Sequence, residues 1–123
     1  MSKIKCLIVD DEELARLRLH RLISASPDLF VVGEAENGLV AVQKINELKP
    51  DLVFLDIQMP GIDGFETCKI LRGDPKTEKI PVILLTGLGK TKEVEKGYSC
   101  GANDYLIKPV NWERLKDKVA KLI

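Results

Sequence analysis

At 123 residues, 45% of them hydrophobic, the chain is long enough to fill one core and too short to fill a second. Lysine plus arginine and aspartate plus glutamate both come to 19, so no bulk charge draws the chain to nucleic acid or anionic lipid, and any charge-based chemistry must be local. The longest apolar runs, at residues 52–55 and 82–85, fall far short of a membrane span.

The opening segment Met1-Ser2-Lys3-Ile4-Lys5 has neither an apolar signal core nor a small-residue cleavage site, which points to a cytoplasmic location. A first strand is expected from Ile4 to Val9. The helix after it carries Ala15, Leu19, Leu22 and Ile23 at the spacing of one buried stripe. His20, in the same helix, has no Asp or Cys at ligand spacing and reads as a surface or boundary residue. A second strand over residues 30–35 leads to a helix with its stripe on Ala41, Ile45 and Leu48, and a third strand covers residues 52–55. A third helix is expected from Gly64 to Arg72, then a fourth strand over residues 82–85. The fourth helix, from Thr91 to Ser99, has chiefly Val94 and Tyr98 to bury and should be loosely held. A fifth strand at residues 105–107 precedes a closing helix with Trp112, Leu115, Val119, Leu122 and Ile123 inward and Lys116, Asp117, Lys118 and Lys121 outward. Cys6, Cys68 and Cys100 are odd in number and lack Cys-x-x-Cys spacing, so they read as reduced, partly buried thiols.

Cys6-Leu7-Ile8-Val9, Leu52-Val53-Phe54-Leu55 and Val82-Ile83-Leu84-Leu85 are continuously apolar, as strands buried on both faces are. Strand and helix alternate without a linker or repeat. The expectation is one α/β domain over residues 1–123, a doubly wound five-stranded parallel sheet with helices on both faces.

The polar residues capable of chemistry follow the strands: Asp10 and Asp11, then Asp56, then Thr86, then Lys108. In a parallel sheet those carboxyl ends share one edge, where ligands bind. Each residue also has a plainer reading. Asp11 suits the N-cap of the first helix; Asp56 suits a turn ahead of Pro60, Gly61 and Gly64; Thr86 and Lys108 suit a turn hydroxyl and a solvated amine. The combination carries the argument. Two carboxylates about 4 Å apart repel by roughly 4 kcal/mol at an effective dielectric near 20, so three together call for a cation or shifted pKa values. Mg²⁺ suits such a site, and a lysine opposite completes the neutralisation. One carboxylate can then attack phosphorus, and Asp56 is the candidate because the adjacent Asp10 and Asp11 are suited to holding the metal.

Val9-Asp10-Asp11-Glu12, Leu55-Asp56-Ile57-Gln58-Met59-Pro60-Gly61-Ile62-Asp63-Gly64, Thr86-Gly87 and Asp104-Tyr105-Leu106-Ile107-Lys108-Pro109 together resemble the receiver domains of two-component response regulators. The resemblance spans nearly the whole chain. It implies a flavodoxin-like (βα)5 fold with strand order 2-1-3-4-5. It implies Asp56 as phosphoacceptor, with Mg²⁺ held by Asp11, Asp56 and the carbonyl of Gln58, and by Asp10 chiefly through water. Lys108, the Thr86 hydroxyl and the Gly87 amide would serve the phosphoryl oxygens. Tyr105 would turn inward as Thr86 moves, remodelling the face of helix 4, strand 5 and helix 5, and Lys108-Pro109 would be a cis peptide.

The resemblance also implies a sensor histidine kinase or histidine phosphotransfer protein as donor, docking near helix 1. It further implies a phosphorylation-dependent homodimer, control of a partner or output domain, and no nucleic-acid or membrane contact by the domain itself. Its chemistry is self-phosphorylation and self-dephosphorylation, with no turnover of free substrates. Val110 stands where phenylalanine is frequent in the family, and Asn111 suits a cap for the last helix. Gly87 and Gly89 suggest a mobile loop into helix 4.

Three other readings are weaker, one being a degenerate receiver used only as a protein-interaction module, against which the presence of Asp10, Asp11, Asp56, Thr86 and Lys108 counts. A dehalogenase-type phosphatase needs an acidic residue two positions after its nucleophile, where Gln58 stands. A flavin or nucleotide binder of this fold would meet repulsion from Asp10-Asp11-Glu12-Glu13 after the first strand.

Overall fold

The three continuous apolar runs become strands covered on both sides. In the computed structural model, which describes residues 3–87 and 91–122 and the backbone alone at 91–94, five strands alternate with five helices. They run β1 (Ile4–Val9), α1 (Glu13–Ser24), β2 (Leu29–Ala35), α2 (Gly38–Leu48), β3 (Leu52–Asp56), α3 (Gly64–Arg72), β4 (Val82–Thr86), α4 (Thr91–Ser99), β5 (Asp104–Ile107) and α5 (Trp112–Leu122). All pairings are parallel, in the order β2-β1-β3-β4-β5 implied by the resemblance.

Strand alternation divides the apolar residues between two cores. Cys6, Ile8, Leu52, Phe54, Ile83, Leu85 and Leu106 pack under α1 and α5, against Leu19, Ile23, Leu115 and Val119. Leu7, Val9, Val53, Leu55, Val82 and Leu84 face the other way, against Ala41 and Ile45 of α2, Phe65, Cys68 and Leu71 of α3, and Cys100 just past α4. The helical stripes read from the sequence are thus buried, with Ala15, Leu22, Leu48, Trp112 and Leu122 half-buried at the margins.

The β1–β2 pairing carries a register shift: Cys6 pairs with Val31, but Leu7 pairs with Gly33, leaving Val32 as an extra residue. Leu29 precedes the shift and belongs to the α1/α5 core, whereas Ala35 follows it and belongs to the opposite one. Glu34, paired with Ile8, is therefore turned toward α1.

Some expectations need correction. Lys118 is not an outer-face residue: its ammonium pairs with Asp104 Oδ1 at 2.9 Å and lies 5.0 Å from the centre of the Tyr105 ring, because α5 crosses the edge strand there. The cysteines are buried, Cys6 and Cys68 completely, with the Cys6 thiol pushed up to about 12 by burial and then by the charge of Asp51. Within α4, Gly97 is buried close against Leu84, and Cys100 just past the helix is buried. Gly89 and Ile123 lie outside the described residues, as does the side chain of Val94. His20 is half-buried and shares a hydrogen bond with Ser24 Oγ at 3.2 Å. Among the described residues no helix is long and apolar enough to cross a membrane.

Candidate functional site

Because all five strands run the same way, their carboxyl ends form one rim, and the candidate residues gather there. Asp10 follows β1, Asp56 ends the neighbouring β3, Thr86 ends β4 and Lys108 follows β5. Carboxylate oxygens of Asp10, Asp11 and Asp56 all lie within 4.8 Å of one another. Asp10 and Asp56 are buried at 1% and 6% exposure, while Asp11 is open to solvent.

Lys108 closes the group from the β5 side. Its Nζ lies 2.9 Å from Asp10 Oδ2 and 3.1 Å from Asp56 Oδ1. Burial lowers the pKa of this ammonium, but hydrogen bonding and charge from Asp10 and Asp56 outweigh it, and the net shift is upward. Asp56 moves from 3.8 to about 6, chiefly by burial and then by the charge of Asp10; Lys108 opposes this and Asp11 adds to it. The site thus gathers more negative charge than its one lysine offsets.

This donor set fits a hard divalent cation. All three groups are carboxylates, whose oxygens suit Mg²⁺, and the Lys108 ammonium already stands as a cation between two of them. The plainer reading of Asp11 as a helix cap does not hold: the N-cap of α1 is Glu12, which makes no side-chain cap bond.

The loop from Ile57 to Asp63 is shaped by glycine and by a cap. Gly61 has φ of 80°, in the left-handed region. Asp63 accepts the Glu66 amide at 2.9 Å while Glu66 reaches back to the Asp63 amide, a capping box that starts α3. Gly64 lies so close to β3 that a Cβ there would stand 2.5 Å from the Asp56 carbonyl oxygen. Gln58 is exposed beside this loop, in a cleft it shares with Asp11 and Phe65.

Thr86 is buried, its Oγ1 3.5 Å from the Gly87 carbonyl, and Gly87 is half-buried. The Lys108–Pro109 peptide is cis. Tyr105 sits at the sheet edge, half-buried, its ring edge-on to Tyr98 at 6.3 Å. Asp104 holds this corner, accepting from the Tyr105 amide at 2.9 Å and from Lys118 at 2.9 Å. Asn111 caps α5 through the Arg114 amide at 2.9 Å.

One contact has no counterpart in the sequence reading. Arg16 of α1 donates from Nη1 to the Asp10 carbonyl at 2.8 Å and pairs through Nε with Glu34 at 3.2 Å. An arginine that serves a backbone carbonyl leaves no periodic or motif signal.

Comparison with known proteins bears on the same residues. A family model described as the response regulator receiver domain matches residues 6–120. An uncharacterised response regulatory protein of Vibrio vulnificus (strain CMCP6) is 41% identical over 119 residues, covering 97% of this chain and 47% of that protein. The chain spans about half the length of the first such relatives, 47% and 48%. The chemotaxis protein CheY of Listeria monocytogenes serovar 1/2a is 40% identical over 119 residues, 96% of this chain and 97% of that protein. Among solved structures, the response regulator domain of Thermotoga maritima CheB matches with a TM-score of 0.85 at 32% identity, over 98% of this chain and 96% of that one.

Proposed function

Because the chain belongs to the response regulator receiver domain family, we propose that it is a phosphorylation-dependent switch in which Asp56 accepts a phosphoryl group from a phosphohistidine in a Mg²⁺-dependent reaction. The observation that carries this reading is the meeting of Asp10, Asp11 and Asp56 within 4.8 Å, with Lys108 against two of them. The match over residues 6–120 supports treating residues 1–123 as one receiver domain.

Asp10, Asp11, Asp56 and the Gln58 carbonyl would hold the cation. When bound, Mg²⁺ neutralises the carboxylates and the charge on the transferring phosphoryl group. An Asp56 carboxylate oxygen attacks phosphorus, the P–N bond breaks with its electron pair returning to the imidazole, and an acyl phosphate forms. Lys108 gives its ammonium to a phosphoryl oxygen, while the Thr86 hydroxyl and Gly87 amide serve the others. Hydrolysis of the acyl phosphate returns Asp56 and inorganic phosphate. The chain thus works on itself, without turnover of a free substrate.

A phosphoryl group brings roughly −1.5 to −2 charge and strong acceptor oxygens. Thr86 moves toward it, Tyr105 turns inward, and the face of α4, β5 and α5 changes shape. Tyr98, half exposed and edge-on to Tyr105, lies on that face. We read it as the surface that controls a partner or output domain and that supports a phosphorylation-dependent homodimer. The donor, a histidine kinase or histidine phosphotransfer protein, docks near α1, where Leu14 and Leu17 are exposed. A cytoplasmic setting goes with this reading.

Titration with Mg²⁺ and beryllofluoride, a phosphoryl mimic, tests it. Wild type should bind the mimic only with Mg²⁺ present, and Asp56→Ala should not bind it. Equal binding by the two proteins would overturn the assignment, and an unchanged sedimentation coefficient with the mimic would remove the dimer.

A further inference from the structure

Asp10 and Asp11 are consecutive, and consecutive side chains of an extended strand point to opposite faces. Their oxygens nevertheless reach one point with Asp56, so the chain must turn out of the strand between them. Three contacts hold that turn. The Asp10 amide donates to the Ala35 carbonyl at 3.1 Å, and Asp10 Oδ1 accepts the Glu12 amide at 3.0 Å. The third comes from α1, where Arg16 Nη1 donates to the Asp10 carbonyl at 2.8 Å.

Arg16 is itself anchored. Its Nε pairs with Glu34 Oε1 at 3.2 Å, and its side chain is only 18% exposed. Glu34 is available because the bulge that absorbs Val32 sets it opposite Ile8, on the face toward α1. The guanidinium fork meets a carbonyl through one nitrogen and a carboxylate through another, which a single ammonium cannot do in the same geometry.

We propose that Arg16 is a positioning residue for the divalent-cation site: by fixing the Asp10 carbonyl it sets the Asp10–Asp11 peptide plane and so aims both carboxylates, with Glu34 as its anchor. The inference rests on the reading that Asp10, Asp11 and Asp56 hold Mg²⁺. Groups that orient metal ligands from outside typically alter metal affinity by about 10- to 100-fold when removed.

The test is calorimetric titration of Mg²⁺ into wild type, Arg16→Ala, Arg16→Lys, Glu34→Ala and Asp56→Asn, each also unfolded in urea without metal. Arg16→Ala should weaken Mg²⁺ binding by about tenfold or more, Arg16→Lys should recover part of the loss, and Glu34→Ala should weaken binding by a smaller factor. Unchanged affinity in Arg16→Ala beside normal wild-type binding overturns the positioning role and leaves the site intact. Loss of stability without loss of affinity also overturns it, making Arg16 a strut between α1 and β2. Failure of wild type to bind, or undiminished binding by Asp56→Asn, removes the underlying site reading instead. Should Arg16→Ala not fold, Arg16→Lys and Glu34→Ala carry the same comparison, and two wild-type affinities would refute the proposal.

Discussion

Lys108 Nζ lies 3.1 Å from Asp56 Oδ1 while also touching Asp10 at 2.9 Å, so one ammonium is divided between two carboxylates that repel each other. The balance is incomplete: burial, and then the charge of Asp10, raise the pKa of Asp56 despite Lys108. The resting domain therefore carries electrostatic strain that either a proton or a divalent cation relieves.

Asp56→Asn should stabilise the metal-free protein at neutral pH. The native carboxyl titrates at about 6 against 3.8 for the free group, so between those values the native state holds a proton that the unfolded chain has lost. The associated stability is present below 3.8, is lost as pH rises through about 6, and stays lost above it. Two pKa units correspond to about 3 kcal/mol as an upper figure. Urea unfolding in chelator near neutral pH should give the variant an advantage of about 1–3 kcal/mol that vanishes near pH 4. A less stable variant at neutral pH would contradict the balance described.

Mg²⁺ binding should weaken in acid. The cation needs an ionised Asp56, so apparent affinity is level above about 6 and falls below it by roughly tenfold per pH unit for one displaced proton. Calorimetry across this range reads the slope directly. Thermal unfolding gives a second measure, since a chelator should lower the wild-type midpoint in Mg²⁺ buffer near neutral pH and leave Asp56→Asn nearly unmoved. A pH-independent affinity would place the cation elsewhere.

Gly64→Ala should damage fold and site together. Its Cβ would stand 2.5 Å from the Asp56 carbonyl oxygen and 2.8 Å from Ile57 Cα. Both are backbone atoms and neither can swing aside. The expected loss is about 1–3 kcal/mol by urea unfolding, with weaker Mg²⁺ binding as the Asp56 segment shifts. Full retention of both would show that α3 can move off β3.

Arg72→Ala should loosen the end of the sheet away from the site. Its guanidinium donates to the Gly101 carbonyl at 2.8 Å, the Ile80 carbonyl at 2.8 Å and Asn103 Oδ1 at 2.9 Å. Asn103 Oδ1 in turn accepts the Val82 amide at 2.8 Å. Loss of this bracket should destabilise by about 2–4 kcal/mol, since hydrogen bonds to charged groups are worth roughly 1.5–3 kcal/mol and do not add fully. Arg72→Lys should restore only part. Hydrogen exchange should quicken at Val82 and Asn103, and unchanged protection there would discount the bracket.

Elements and rim residues were legible in the sequence where a local rule applied. Helix α3 runs over the residues expected of it, Gly64–Arg72, and the Asp63 capping box that starts it came only with the structure. Asp10, Asp56, Thr86 and Lys108 were legible because β-type runs end directly before them, and parallel strands bring those ends together. What escaped depends on contacts distant in sequence. Arg16, Arg72 and Lys118 look alike as letters, yet the first two serve backbone carbonyls and the third an edge-strand aspartate. The bulge at Val32 also escaped, because Val31-Val32-Gly33 fits a regular strand equally well.

That bulge makes strand register, as well as residue identity, part of the design of the rim. Were Val32 taken into a regular ladder instead of bulging, Leu7 would pair with Val32, Ile8 with Gly33 and Val9 with Glu34, leaving every named side chain at the rim but putting the end of β2 half a period out of phase. Glu34 would then face α2 and Ala35 would face α1, an exchange of a charge for a methyl beneath Arg16. In sequence comparison, a relative with one residue fewer at the bulge therefore keeps Glu34 opposite Ile8 and toward α1, in a regular strand.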